Sequence, residues 1–335
     1  MIAQSFIISL MKPFNTLCHN LIYGVAVGDA MGFPIQFYKR EQAKKLNITK
    51  MTAHSFGEIP AGTWSDDTSL TIALADALSS NEAIDYQKIM QNFYLWITEG
   101  KYTPYKKAFD IGRTCFKALL CYKGGDDPLL CGGNSELDNG NGSIMRISPL
   151  VFYLQKHFGS NAFENNKAFE IVHNVSRLTH AHPITLIGCG IYIAVLLKLL
   201  NGFEKNAALT EAYEQIRKYV SENKDFEYAF TQYKRLGDRE FTALPETKIS
   251  SKGYVVDTLE AALWSFLTTD SYRDCILKIL NLGNDTDTVG AVAGAMAGIY
   301  YADQKNKDIP EDWINDLQGK DLLDNAIKKL ETLIK

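Results

Sequence analysis

Residues 62–78 read GTWSDDTSLTIALADAL. Leu70, Ala73, Leu74, Ala77 and Leu78 occupy the i, i+3, i+4, i+7 and i+8 positions of one face, the period of an amphipathic helix rather than the alternation of a strand. Ser65 stands where an N-cap belongs, and Asp66 and Asp67 fall in the first turn, where the positive end of the helix dipole favours carboxylates. The same period recurs in residues 86–99, 105–122, 166–177, 184–200, 208–221, 256–267 and 272–281. Most of the chain reads this way, so the expected fold class is all-α.

Composition bounds the rest. The 335 residues are 46% hydrophobic, with 24 Gly and 9 Pro, which excludes a disordered or collagen-like chain. Thirty-five basic against 39 acidic residues leave a net charge of −4. That balance gives no basic footprint for a phosphate backbone, so general nucleic-acid binding is not expected, although a local basic patch stays open. Cysteines 18, 115, 121, 131, 189 and 275 form no C-x-x-C pair, and they read as reduced thiols of a cytoplasmic protein. The opening MIAQSFIISLMK lacks a basic n-region and a cleavage site, and no apolar run approaches the roughly 20 residues of a membrane span. Residues 1–19 are expected as an unordered N-terminal extension, with Met11 an alternative start, and 20–335 as one domain of a monomer.

Two stretches break the helical pattern. Residues 123–143 include GGDDPLLCGGNSELDNGNGS, a loop long enough inside a compact domain to suggest function. Residues 222–253 are charged and turn-prone and read as a surface excursion. Two further segments, GVAVGDAMG at 24–32 and GAVAGAMAG at 290–298, each place Gly at i, i+4 and i+8. A helix built so gives up about 1 kcal/mol per Gly in propensity, and close approach of a neighbouring helix or a ligand is the usual compensation.

The candidate chemistry lies in acidic pairs. Beside Ser65, Asp66, Asp67 and Thr68, the segment NLGNDTDTVGAVAGAMAGIYYA at 281–302 sets Asp285, Asp287 and Thr288 at the start of an apolar helix. Carboxylates tied to a buried helix need compensation, and oxygen donors of this kind suit hard divalent cations. Two such ions would balance the four charges of Asp66, Asp67, Asp285 and Asp287. In LDNGNGSIMRISPL, 137–150, Asn139, Gly140, Asn141, Gly142 and Ser143 precede an apolar segment, an arrangement suited either to an anion at a helix N-terminus or to an ordinary cap. Arg146 reads as the partner of a carboxylate. His180 and His182, two apart before Pro183, do not share a helix face and are no helical zinc pair.

Together, GVAVGDAMGFPIQF, GTWSDDTSL, DNGNGSIMR, THAHP, GYVVDTLEAALWSFL and NLGNDTDTVGAVAGAMAGIYYA resemble, in order, the motifs of the ADP-ribosylglycohydrolase family, over residues 20 to 315. The resemblance implies a single orthogonal helical bundle with a central binuclear cleft holding two Mg²⁺ or Mn²⁺. It implies an enzyme that cleaves ADP-ribose from an acceptor, either an ADP-ribosylated protein, with arginine first, or an ADP-ribose-containing small molecule. Ser65, Asp66, Asp67, Asp285, Asp287 and Thr288 match the family's metal ligands. Asp138 and Asn141 keep its spacing at the ribose and phosphates, with Gly142 and Ser143 beside them, and His182 and Tyr254 would line the cleft. Asp29 resembles a structural acid of the first helix. By the same resemblance the catalytic set is Asp66, Asp67, Asp287, Asp138 and Gln36.

Gln36 departs from the pattern, since the family commonly has Glu there. An amide can donate to a hydroxyl but cannot take up a proton as a carboxylate does. Either a water deprotonated by the ions together with an acid such as Asp138 suffices, or the activity or acceptor has changed. The alternatives are a non-catalytic ADP-ribose binder and a hydrolase of ADP-ribosylserine or O-acetyl-ADP-ribose. Release of ADP-ribose by a Gln36→Glu variant alone would mark the binder.

Overall fold

The computed structural model describes residues 12–54, 59–78 and 83–333. Its first helices are α1 (Phe14–Gly32), α2 (Arg40–Leu46), α3 (Asp66–Ala77), α4 (Tyr86–Glu99) and α5 (Arg113–Lys123). Next come α6 (Leu150–Phe158), α7 (Asn166–Arg177), α8 (Pro183–Leu200), α9 (Lys205–Glu222) and α10 (Glu227–Thr231). The last are α11 (Val255–Leu267), α12 (Tyr272–Leu280), α13 (Thr286–Tyr301), α14 (Glu311–Asp316) and α15 (Lys320–Thr332). Among the described residues β-pairing is limited to isolated bridges, Gly133 with His180 and Gly140 with Tyr254. The all-α expectation holds.

The glycine stripes explain the centre of the bundle. α1 and α13 run antiparallel in backbone contact: a Cβ on Gly24 would fall on the carbonyl of Gly294, one on Gly28 on that of Gly290, and one on Gly298 on that of Asn20. The propensity lost at each Gly is offset by packing that any side chain would prevent. This register sets the end of α1, and with it Gln36, beside the start of α13, and with it Asp285 and Asp287. Lys12 Nζ donates to the carbonyls of Ile299 and Tyr300 (3.0 and 2.6 Å), satisfying the open end of α13.

Four expectations are corrected. The helix predicted over 105–122 begins only at Arg113, because Lys106 and Asp110 adopt positive φ (55° and 57°), which a right-handed helix cannot contain. The boundary after residue 19 falls inside α1, whose Leu17 and Cys18 are already buried; residues 1–11 lie outside the described ones. α8 is 18 residues long with mean hydropathy 2.1, so an apolar run of nearly membrane-spanning length does exist. It is apolar all round because it is a core helix, with 89% of the stretch buried inside the protein. Finally, residues 222–253 are no loose excursion, since Tyr233, Leu236, Phe241 and Ile249 are buried. Tyr233 Oη donates to the carbonyl of Ile184 at 2.9 Å, over the space left by Gly188.

Candidate active site

A cavity of about 380 Å³ opens where the N-termini of α3 and α13 meet, lined among others by Gln36, Asp66, Asp67, Asp110, Asp285 and Asp287. Each acid is placed by local structure. Ser65, the N-cap of α3, accepts from the Asp67 N–H (3.3 Å), and its hydroxyl donates to Asp67 Oδ2 (2.9 Å). Behind it the fully buried Asp29 accepts from Ser65 N–H (2.9 Å), Thr68 N–H (3.0 Å) and Thr68 Oγ1 (2.6 Å). Asp29 therefore ties α1 to the first turn of α3, the structural role expected of it, and burial raises its carboxyl to about 6.

The four acids of the paired motifs are all buried, between 1 and 9% exposed. Burial, and then the neighbouring carboxylates, hold Asp66, Asp67 and Asp287 well above the usual carboxylate range. Burial also raises Asp285, against the pull of Asn141, whose Nδ2 donates to Asp285 Oδ2 (2.6 Å) and Thr258 Oγ1 (2.9 Å). Thr288 donates to Asp67 Oδ2 at 3.4 Å. One buried acceptor, Asp67 Oδ1, has no partner, a costly state for an ionised oxygen. An all-oxygen set with an orphaned acceptor and mutual repulsion fits a hard divalent cation. Among the described residues no three His, Cys, Asp or Glu side chains are already closed around one point, so the fit rests on donor chemistry and charge.

Gln36 follows the short turn Phe33–Ile35 at the end of α1, and its Nε2 donates to Asp110 Oδ2 at 2.8 Å. The amide that departs from the family pattern thus orients a fifth carboxylate. Burial raises Asp110, and the Gln36 hydrogen bond opposes that shift. Asp110, Arg113, Thr114 and Cys115 line the cavity and were missed in the sequence, the first because 105–122 reads as continuous helix; His180, weighed there only as half of a His pair, lines it too. The signal for Asp110 was Gly112, which caps α5 and argues that the preceding residues are loop. Burial drives the His180 imidazole down to about 3, so it faces the cavity neutral.

Of the expected site residues, Gln36, Asp66, Asp67, Asn141, Gly142, Asp285, Asp287 and Thr288 line the cavity, whereas Ser65, Asp138, Ser143, His182 and Tyr254 are not among its lining residues. Asp138 has both oxygens engaged, by Ser135 N–H (3.2 Å) and by Thr114 Oγ1 (3.2 Å), and the Ser135 hydrogen bond lowers its carboxyl. It pins the 124–143 loop to α5 and is not among the residues lining this cavity. Ser143 Oγ meets Ser176 Oγ at 2.8 Å. His182 is the N-cap of α8, its Nδ1 accepting from Ile184 N–H at 3.3 Å, and His180 lines the cavity. Tyr254 precedes α11 and pairs through its backbone with Gly140. Asn141 N–H is taken by the Gly253 carbonyl (3.1 Å), and only the three-residue turn Ile144–Arg146 follows, so this segment offers no helix N-terminus to an anion. The fully buried Arg146 reaches the Gly142 carbonyl, Thr179 Oγ1 (2.8 Å) and the Phe93 ring, not a carboxylate.

The profile of the family described as ADP-ribosylglycohydrolase matches residues 17–335. The chain is 30% identical over 311 residues to the ADP-ribosylarginine hydrolase Tri1 of Serratia proteamaculans (strain 568), covering 92% of this chain and 77% of that one. It is 29% identical to the ADP-ribosyl-[dinitrogen reductase] glycohydrolase of Rhodospirillum rubrum, covering 89 and 88%. A solved structure described as an ADP-ribosylglycohydrolase-related protein complex superposes with a TM-score of 0.75 at 26% identity, over 96% of this chain and 97% of that one.

Proposed function

The chain belongs to the ADP-ribosylglycohydrolase family of hydrolases, and from that premise we propose that it removes mono-ADP-ribose from the guanidinium of protein arginine, in the cytoplasm. One observation carries the choice of acceptor. Five carboxylates line the cavity, Asp66, Asp67, Asp110, Asp285 and Asp287, against a single cation, Arg113. If two divalent ions neutralise four of them, and Arg113 is matched by Asp138 at 3.8 Å, Asp110 is left over to meet a positive leaving group. A guanidinium supplies that charge, whereas a serine ether or an acetyl ester does not.

Ser65, Asp66, Asp67, Asp285, Asp287 and Thr288 would hold two Mg²⁺ or Mn²⁺. Bound there, such ions would supply Lewis-acid charge to ribose hydroxyls and to a nearby water. Asp110 does the proton work. Its Oδ2 is fixed by Gln36, so the other oxygen is free to take a proton from the attacking water and pass it to the departing guanidine. The carboxylates facing the ribose steady the positive charge that develops at the anomeric carbon. Gln36 is then a positioning residue, a reading that favours turnover over the non-catalytic binder.

Thermal denaturation tests the metal assignment apart from turnover. Mg²⁺ or Mn²⁺ should raise the melting temperature, a chelator should reverse the rise, and Asp67→Asn with Asp287→Asn should abolish it. An unchanged melting temperature with saturating metal would remove the ions from the account. Release of ADP-ribose from ADP-ribosylarginine should fall with the same variants.

Gln36→Glu sets a second carboxyl against Asp110. The added negative charge raises the Asp110 carboxyl further, so its ionised form is reached only at higher pH. The acid limb of the pH–rate profile should move up by about one unit, with the rate recovering above it. An unmoved limb would show that Asp110 is not the group that titrates.

A further inference from the structure

The segment that leads into α5 and through its first turn is locally basic. From 100 to 118 it carries five cations, Lys101, Lys106, Lys107, Arg113 and Lys117, and one carboxylate, Asp110. All five cations are exposed, and Asp110 is turned to Gln36. Among the described residues Lys106, Lys107 and Lys117 have no carboxylate within salt-bridge distance. Tyr105 and Phe116 stand 38 and 44% exposed beside them.

The segment is also held in costly backbone. Tyr102, Lys106 and Asp110 are three of the non-glycine residues with positive φ (66°, 55° and 57°), a strain that accumulates at functional sites. Residues 110–115 form one wall of the active-site cavity. Residues 100–106 form a wall of a second cavity of about 370 Å³, lined on its other side by Pro60, Thr63, Gln318, Asp321 and Leu322. A single exposed, basic, partly apolar ridge therefore runs from the reaction site to a second recess.

Resting on the reading above, we infer that the 101–117 ridge is a docking surface for an acidic stretch of the acceptor protein flanking the modified side chain. Lys106 and Lys107 supply charge complementarity outside the active-site cavity, and Tyr105 and Phe116 supply apolar contact. Arg113 lines that cavity and is left to the diphosphate.

The test uses the full chain with Mg²⁺, free ADP-ribosylarginine, and two synthetic peptides carrying one ADP-ribosylarginine, flanked by Glu and Asp or by Gly and Ser. At low salt the acidic peptide should show about tenfold higher kcat/KM than the neutral one, chiefly through KM, and the gap should close as ionic strength rises. Lys106→Glu with Lys107→Glu should erase the gap and leave turnover of free ADP-ribosylarginine and inhibition by ADP-ribose unchanged. Equal kinetics for the two peptides at low salt would overturn the docking surface. So would a double variant that weakens ADP-ribose inhibition, because the two lysines would then read the diphosphate. Should free ADP-ribosylarginine not be cleaved, the proposed function fails by itself. Fluorescence anisotropy of the same two peptides still decides the docking, with tighter binding of the acidic one expected and equal binding refuting it.

Discussion

Asp110→Asn should cut kcat for ADP-ribosylarginine by about 10²- to 10⁴-fold, the range of a lost general acid–base group. KM should rise less than kcat falls, because the guanidinium loses its counter-charge while the ribose and diphosphate contacts lie with other residues. The expectation rests on one hydrogen bond. Gln36 Nε2 holds Asp110 Oδ2 at 2.8 Å, and an asparagine there can still accept that bond through its amide oxygen. What it loses is the free carboxylate oxygen and its charge. Fold and metal response should be intact, so single-turnover kinetics can be compared with a melting curve on the same sample. A loss confined to KM would mean that Asp110 only binds the leaving group, and wild-type kcat would remove it from the chemistry. Asp138→Asn is the contrast. Asp138 is locked between Ser135 and Thr114, so its loss should loosen the 124–143 loop without a change of comparable size in kcat.

The contrast between these two acids shows where the sequence was readable. Helical period, the capped acid pairs and the glycine stripes are local patterns, and α3, α13 and the α1–α13 contact followed from them. Asp138 lay in a recognisable motif, but its partners, Ser135 within the loop and Thr114 on α5, become visible only when the loop is folded. Asp110 carries no local pattern of its own. It reaches Gln36 across 74 positions because residues 101–112 leave the helical path at Tyr102, Lys106 and Asp110, and left-handed backbone at such side chains is not announced by periodicity. His180 and His182 were separable only by which of them caps α8.

Gly294→Ala is expected to be among the most destabilising single-methyl changes in the molecule. On a bare helix the exchange would stabilise by about 1 kcal/mol through propensity. Here the new Cβ would land on the Gly24 carbonyl, whose oxygen also accepts the Tyr272 hydroxyl at 2.6 Å. The clash is with backbone, so no rotamer relieves it, and α1 and α13 must part. Overpacking commonly costs about 1–3 kcal/mol, and a contact between two rigid backbones belongs at or beyond the upper end of that range. Gly190→Ala is the control, since its Cβ would meet only Ile216 Cδ1 at 3.5 Å, and it should leave the melting temperature unchanged or raise it. The functional consequence follows from register. The turn that follows α1 leads to Gln36 and the N-terminus of α13 holds Asp285 and Asp287, so parting the helices separates the amide–Asp110 pair from the acid cluster. Gly294→Ala should therefore lose turnover at temperatures where it is still folded by circular dichroism. A melting temperature that rises as in Gly190→Ala would show that the backbone contact does not hold the two halves of the site together.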